Sequence, residues 1–332
     1  MINGIRSILI LKTIFKNIPE KIKLKLIAYN KNIQNKLSIT IDDYIIYVTQ
    51  IEIDIIPKKE NKKIYFINRG GGDKSYYHIY FNDNKERIDR NYINENENIS
   101  KIKIKIDREI DSLFRLFENC SSILSIKFIK FNRTDITDMS YMFSGCTSLI
   151  NLDIKLLKTD EVTDMKGMFS RCKLLEELDL SNFNTNKLID MSYFFSHCVS
   201  LKNINLSSFK TNNVTDMSYM FDDCPLLKEI NINNFETENV INMKSMFRNC
   251  SSLKELNISN FKTGKLIKMS EMFGGCSSLE ILDISNFETN NLIEMKKIFS
   301  ECKSLIHLNI PNHLDFKNSS EKNYIFEQCL IY

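Results

Sequence analysis

The stretch Cys198-Val-Ser-Leu-Lys-Asn-Ile-Asn-Leu-Ser-Ser-Phe-Lys-Thr-Asn-Asn-Val-Thr-Asp-Met-Ser-Tyr-Met-Phe-Asp-Asp-Cys224 decides how this chain folds, because it is one period of a pattern. Cysteines stand at Cys120, Cys146, Cys172, Cys198, Cys224, Cys250, Cys276 and Cys302, each 26 residues after the one before, and Cys329 follows after 27. About two thirds of the 332 residues are therefore a single unit written repeatedly. A unit this short encloses no core alone. Its apolar side chains leave water only when successive units stack, so one elongated body with a shared interior is expected.

Inside the quoted period, Leu201, Ile204 and Leu206 follow the cysteine by three, six and eight residues. The same offsets carry Leu or Ile in the flanking periods, from Leu149, Leu152 and Ile154 to Leu305, Leu308 and Ile310. The last two of each set share one face of an extended segment, with the residue between them outward, so the spacing predicts one short parallel strand per period. Polar turn formers and then Phe209, matched by Phe183, Phe235, Phe261 and Phe287, predict a corner filled by an aromatic ring. Thr211 recurs as Thr159, Thr185, Thr237, Thr263 and Thr289, hydroxyls placed to satisfy turn amides and carbonyls between coils.

Asp216, with Asp138, Asp164 and Asp190, precedes a methionine and suits a helix N-cap. Met217, Met220, Phe221 and Cys224 then fall at i, i+3, i+4 and i+7, one face of two helical turns. All twelve methionines after Met1 lie on two columns of this segment and are expected to fill the core. The expected fold is thus α/β: a leucine-rich-repeat solenoid of 26-residue coils, one short parallel strand and one short helix per coil, with an N-terminal α+β cap.

Blocks such as Val214-Thr-Asp-Met-Ser-Tyr-Met-Phe221-Asp-Asp-Cys224 and Leu178-Asp-Leu-Ser-Asn-Phe183 resemble the BspA-like leucine-rich repeat, also known in mycoplasma-type surface proteins of unknown function. The resemblance runs from about residue 113 to 329, and the whole pattern returns in register. It implies a curved solenoid used for adhesion or protein binding, with no catalytic residue to carry over. Related repeats occur in protists as well, so the bacterial surface role does not transfer automatically.

The apolar fraction of 43% and charged fraction of 26% fit an ordinary globular chain and argue against wholesale disorder. Residues 1–110 carry 21 Lys and Arg against 14 Asp and Glu, and residues 111–332 carry 24 against 28, so the head is basic and the repeats mildly acidic. A balance this small is not a nucleic-acid footprint, which needs cations clustered on one face. No stretch approaches the ~18 apolar residues of a membrane span. The partner expected is another protein. Ser7-Ile-Leu-Ile-Leu11 is cut off by Lys12 and Lys16 with no small-residue cleavage site after it, so an intracellular, cytoplasmic location is expected, with the cell surface as the alternative.

In-register stacking holds the cysteine Cβ atoms near ~4.8 Å, longer than the ~3.8 Å of a disulfide, so free buried thiols are expected. A reducing compartment would suit them. There is no Cys-x-x-Cys pair, and Cys302 faces inward where His307 faces outward, so neither that pair nor His313 points to zinc. A cysteine repeated in every coil is a packing element before it is a nucleophile. No catalytic residue, metal or cofactor is expected. Gly70-Gly71-Gly72 lacks the Lys-Ser/Thr of a phosphate loop and reads as a hairpin turn.

With the strand inward at six and eight, the residues between and beside them form an outward strip on the expected concave face. Glu177, Asp179, Asn205, Glu229, Asn231, Glu255, Asn257 and Asp283 are its candidate partner-binding residues. The strip is polar and mildly acidic, suited to a basic or extended partner, and lacks the Trp, Tyr and Arg anchors that usually carry interface energy. Tyr141, Tyr193 and Tyr219 form an alternative aromatic patch on the convex side.

Residues 7–37 read as two helices split by Pro19, the second striped by Ile22, Leu26, Tyr29 and Ile33. The stretch from Thr13 to Lys31 is similar to the middle of an F-box, without its opening Leu-Pro or terminal Trp. That resemblance implies a ubiquitin-ligase substrate adaptor docking a Skp1-type protein through Ile14, Phe15 and Leu24. Alternation in Ile51-Glu-Ile-Asp-Ile55, Tyr77-His-Ile-Tyr-Phe81 and Lys101-Ile-Lys-Ile-Lys-Ile106 predicts half-buried strands capping the first coil. The domains expected are 1–40, a helical hairpin; 41–112, a β-rich cap; and 113–332, the repeats with a C-terminal cap.

Overall fold

The structure, a computed structural model, describes residues 12–14, 18, 23, 26–27, 30–38, 50–68, 74–107, 110–311 and 325–330. Its elements are α1 (Lys31–Leu37), β1 (Ile51–Pro57), β2 (Ile64–Tyr65), β3 (Tyr77–Phe81), β4 (Tyr92–Ile93), β5 (Ile102–Ile106), β6 (Ile123–Phe131), β7 (Asn151–Asp153), β8 (Ile281–Asp283) and β9 (His307–Asn309). The described residues are mostly sheet and turn with little helix, and no barrel closes.

The three expected head strands are present, each burying alternate residues. They join a five-stranded sheet in the order β3-β5-β1-β6-β7. The inward Ile53 meets Ile104 on one side and Phe128 on the other, while the outward Glu52 and Asp54 pair with Lys105 at 3.3 Å and Lys101 at 2.9 Å. β6 turns head into repeats: it runs antiparallel to β1 and parallel to β7, with Ser125 opposite Asn151. The glycine run lies outside the described residues, but the strands flanking it do not pair with each other. β2 pairs with β4 and β3 with β5, which corrects the hairpin reading.

The helical stripe of the head also needs correction. Asn30 accepts from the Ile33 amide at 3.1 Å and caps α1, so Ile33 lies in a helix that begins at Lys31, after Leu26.

Among the repeats, the unbroken parallel ladder runs where a helix cap was expected. Single bridging pairs link Ser112, Asp138, Asp164, Asp190, Asp216, Asn242, Lys268 and Glu294 in succession. After each, alternate amides leave their own unit: Met139, Tyr141, Phe143 and Gly145 donate to the carbonyls of Asp164, Lys166, Met168 and Ser170 at 2.7–3.0 Å. The amides between them close turns, Met142 to Met139, Ser144 to Tyr141 and Cys146 to Phe143. No residue there bonds back to i−4, so the expected helix of each coil is replaced by tandem tight turns. Those turns need left-handed backbone five residues before each cysteine from Cys120 to Cys302 and again one before it, as at Tyr141 (φ 55°) and Gly145 (φ 74°). At Gly167 (φ 56°) a Cβ would also stand 2.7 Å from the Tyr141 ring, which occupies that space.

The burial expected of the helix survives without the helix. Met139, Met142, Phe143 and Cys146 are fully enclosed, as are their copies through most of the array. The phenylalanines stack from Phe117 to Phe326 with centroids 5.4–6.1 Å apart. The thiols from Cys146 to Cys302 each donate to a phenylalanine carbonyl, as Cys224 Sγ does to Phe195 O at 3.2 Å. The corner rings Phe183, Phe209, Phe235, Phe261 and Phe287 are buried, as their spacing predicts. The expected strand of each unit, by contrast, is hydrogen-bonded as a strand only at β6–β7 and β8–β9, with single pairs at Asn205–Asn231 and Glu255–Ile281.

Threonine forms the expected spine. Thr211 Oγ1 donates to Glu236 O at 2.9 Å and accepts from Glu236 N at 2.7 Å, and the same two bonds recur at Thr159, Thr185, Thr237 and Thr263. An asparagine ladder accompanies it, Asn234 Nδ2 donating to Leu206 O at 3.0 Å and Phe209 O at 2.7 Å. Thr211→Val keeps the shape and strands a buried amide and carbonyl, which costs about 1–3 kcal/mol. A chemical denaturation midpoint that falls for Thr211→Val and much less for Thr211→Ser is the expected result.

Asp138, Asp164, Asp190 and Asp216 accept from the amide two residues on, at 2.8 Å, which is a turn bond instead of a helix cap. Burial pushes the Asp164 carboxyl up; the Lys166 amide opposes this, and Asp190 and Asp138 add to it. Asn242 shows the remedy in the same column: its Nδ2 donates to Asp216 Oδ2 at 3.1 Å while its Oδ1 keeps the turn bond. Asp164→Asn is therefore expected to stabilise the fold by roughly 0.5 kcal/mol at neutral pH. A raised carboxyl loses stability as pH rises from its ordinary 3.8 through the folded value, so the gain disappears in stability curves measured below that range.

Candidate functional site

The outward residues of the expected strand line an open groove of about 1010 Å³ crossing successive units from Ser125 to Asn231. Its floor is built by Leu178, Ile204 and Ile230, the residues six after each cysteine, whose inward faces join the core. Ile150 remains about half exposed at one end.

Of the eight candidate residues, Glu177, Asp179, Asn205, Glu229 and Asn231 lie together in this groove. Glu255 and Asn257 line a neighbouring hollow of about 730 Å³ that shares Glu229, and Asp283 is exposed on β8, outside both. The structure divides the eight by chemistry. Asp179, Asn205, Asn231, Asn257 and Asp283 each accept from the amide two residues on, at 2.9–3.2 Å, so one oxygen of each holds a turn. The Ser181 hydroxyl and amide pull the Asp179 carboxyl below its ordinary value, and Ser285 with Asn309 does so for Asp283. Glu177, Glu229 and Glu255 have no such partner and present their carboxylates to solvent. Three nearby lysines are paired: Lys127 with Asp153 at 3.3 Å, Lys155 with Asp179 at 3.6 Å, Lys202 with Glu176 at 2.6 Å.

The alternative tyrosine patch is an internal ladder. Tyr193 and Tyr219 stack at 4.6 Å, Tyr141 meets Phe114 edge-on at 6.4 Å, and Lys166 and Lys244 each stand 5.8 Å over a ring. Ile14 is half-buried, while Phe15 and Leu24 lie outside the described residues, as does His313.

One charged network escaped the sequence reading. His197 Nδ1 lies 2.8 Å from Asp223 Oδ2, the buried Asp222 receives Arg248 Nε at 2.7 Å, and Arg248 Nη1 reaches Glu271 at 3.1 Å. Four successive units are tied by it. The signal was available as charge at neighbouring columns before each cysteine, visible once the units are aligned.

The thiols are set for packing. Burial pushes every thiol from Cys120 to Cys302 up, Cys276 to about 12, and most sit beside a neighbouring thiol that adds to the effect. Among the described residues no three His, Cys, Asp or Glu side chains could hold a metal ion, and no helix is long and apolar enough to cross a membrane.

The family described as "Mycoplasma protein of unknown function, DUF285" matches residues 111–230 and again 226–331. A solved leucine-rich repeat protein from Eubacterium ventriosum is similar at 19% identity and a TM-score of 0.28, over 42% of this chain and 40% of that one. The matched part is thus under half of that neighbour's length. No curated protein matches the chain.

Thiol accessibility tests the packing. In the native protein at about pH 8, a thiol reagent should leave the cysteines from Cys120 to Cys302 unmodified, and denaturant should release all of them. A fast-reacting thiol among them would mean an exposed thiolate.

Proposed function

We propose a protein-binding role for this chain, which belongs to the family described as Mycoplasma protein of unknown function, DUF285, and whose repeats are of the BspA-like leucine-rich type. Its 26-residue units stack as a solenoid, a non-enzymatic scaffold, and the groove from Ser125 to Asn231 is its docking face. The observation that carries this reading is the groove's division of labour. The inward half of each unit is consumed by packing and the turn column by local bonds, while Glu177, Asn203 and Glu229 are left in a broad groove with no partner in the chain. Polar groups held in register on a rigid frame suit recognition of another chain more than they suit chemistry, which needs a perturbed acid, base or nucleophile in a cleft. The groove has no buried titratable group.

A photo-crosslinking side chain placed at Asn203, compared with one at the exposed Lys187 outside the groove, tests the reading. A discrete protein adduct from Asn203 and none from Lys187 is expected. Equal adducts from both, or turnover of a substrate by the purified protein, would overturn it.

A further inference from the structure

Resting on the groove as the docking face, we infer that its partner is an extended cationic segment of another protein, in polyproline-type conformation, with Lys or Arg at i and i+3. The argument begins with what is unpaired. Within the groove Lys127 and Lys155 are held by Asp153 and Asp179, which leaves Glu177 and Glu229 as the carboxylates without a cation. The neighbouring hollow sets the unpaired Lys228 and Lys254 against Glu229 and Glu255 and is balanced in charge. The complementary ligand therefore carries two cations over the groove, not a long basic run.

Their spacing selects the ligand's conformation. Glu177 and Glu229 occupy the same column two units apart, ~10 Å when each unit is offset by the ~4.8 Å of a parallel bridging pair such as Asn205–Asn231. A polyproline helix rises ~3.1 Å per residue and returns to the same face every third residue, ~9 Å on. A β-strand places same-face residues ~7 Å or ~13 Å apart and fits the pair less well. The amides agree with this. Asn205 and Asn231 use Oδ1 for their turns and line the groove with Nδ2 unbonded, and a polyproline backbone has carbonyls that bond to nothing of its own. Leu178, Ile204 and Ile230 beneath offer a shallow apolar floor for its ring faces.

Fluorescence anisotropy with labelled proline-rich peptides of one composition, carrying two lysines at i,i+3, at i,i+2 or at i,i+4, tests the inference at low ionic strength. The i,i+3 peptide is expected to bind about two- to fivefold tighter than the others, the scale of the one exposed ion pair that a mis-spaced peptide forgoes. The double variant E177Q/E229Q, whose thermal melt checks its fold, should lose that preference, while E161Q, exposed and outside the groove, should keep it. Affinity indifferent to spacing, or to E177Q/E229Q, would overturn the inference, as would self-association of the purified protein that E177Q/E229Q abolishes. If crosslinking from Asn203 captures a protein yet no cationic peptide binds, the ligand class is wrong and the groove stands. Silence in both removes both.

Discussion

A backbone amide that bonds to the next repeat instead of its own turn is the interaction on which this molecule depends. Met139, Tyr141, Phe143 and Gly145 all spend their N–H groups on the following unit, and the pattern continues to the bonds of Phe299 and Glu301 with residues 325 and 327. A unit on its own would leave these buried amides and the facing carbonyls unsatisfied, at a cost no single coil's apolar contacts could offset. Stability is thus a property of neighbours, a sum of interfaces along the array. The threonine spine and asparagine ladder repeat the logic at another corner, each side chain bonding to main chain 25 residues away. The first unit needs a partner of different design, and β6 supplies it by pairing with β1 on one edge and β7 on the other.

The sequence revealed periodicity and burial far better than backbone conformation. The core columns read from the quoted period are enclosed through most of the array, with Leu152, Ile230, Leu292, Met295, Leu308 and Ile310 partly buried, because apolar spacing reports which side chains face inward whatever curve the chain follows. The helix was misread for the same reason. Apolar residues at i, i+3, i+4 and i+7 mark one face of a helix, but three overlapping four-residue turns put the same residues inside. The left-handed residues that separate the cases gave no warning, since that column holds Arg115, Tyr141, Gly167, Tyr193, Tyr219, Ser245, Glu271 and Lys297, with only one glycine. Most of these are residues that pay a steric cost there, and the inter-unit bonds must override it. The aspartates were ambiguous too: an Asp that caps a helix and one that closes a turn onto the amide two residues on look alike in one dimension.

At the candidate site, the outward column was legible and its chemistry only partly so. Alternation placed Glu177, Asp179 and Glu229 on one face, and the groove brings them together. What alternation could not tell is that Asp179, Asn205 and Asn231 each hold a turn with one oxygen, because that depends on the chain bending just after them. The network of His197, Asp222, Asp223, Arg248 and Glu271 was hidden differently, its members being far apart in sequence and joined only by stacking.

The two kinds of column evolve under different physical constraints. Three residues after the cysteine, Leu149 through Leu305 never vary in type, since a change there opens a cavity felt by two neighbouring units. Two residues later the column runs Ser125, Asn151, Glu177, Asn203, Glu229, Glu255, Ile281 and His307, varied in charge and size because nothing in the core touches those tips. Each unit therefore contributes one freely chosen group to a line of fixed spacing. Identity at that column sets charge, and the stacking distance sets the interval between charges. Recognition by such a surface is a matter of matching intervals, so a partner's conformation is constrained as strongly as its composition. A flexible loop bearing the same carboxylates would impose no such interval. Under the proposed binding role, that fixed interval is the physical basis of selectivity.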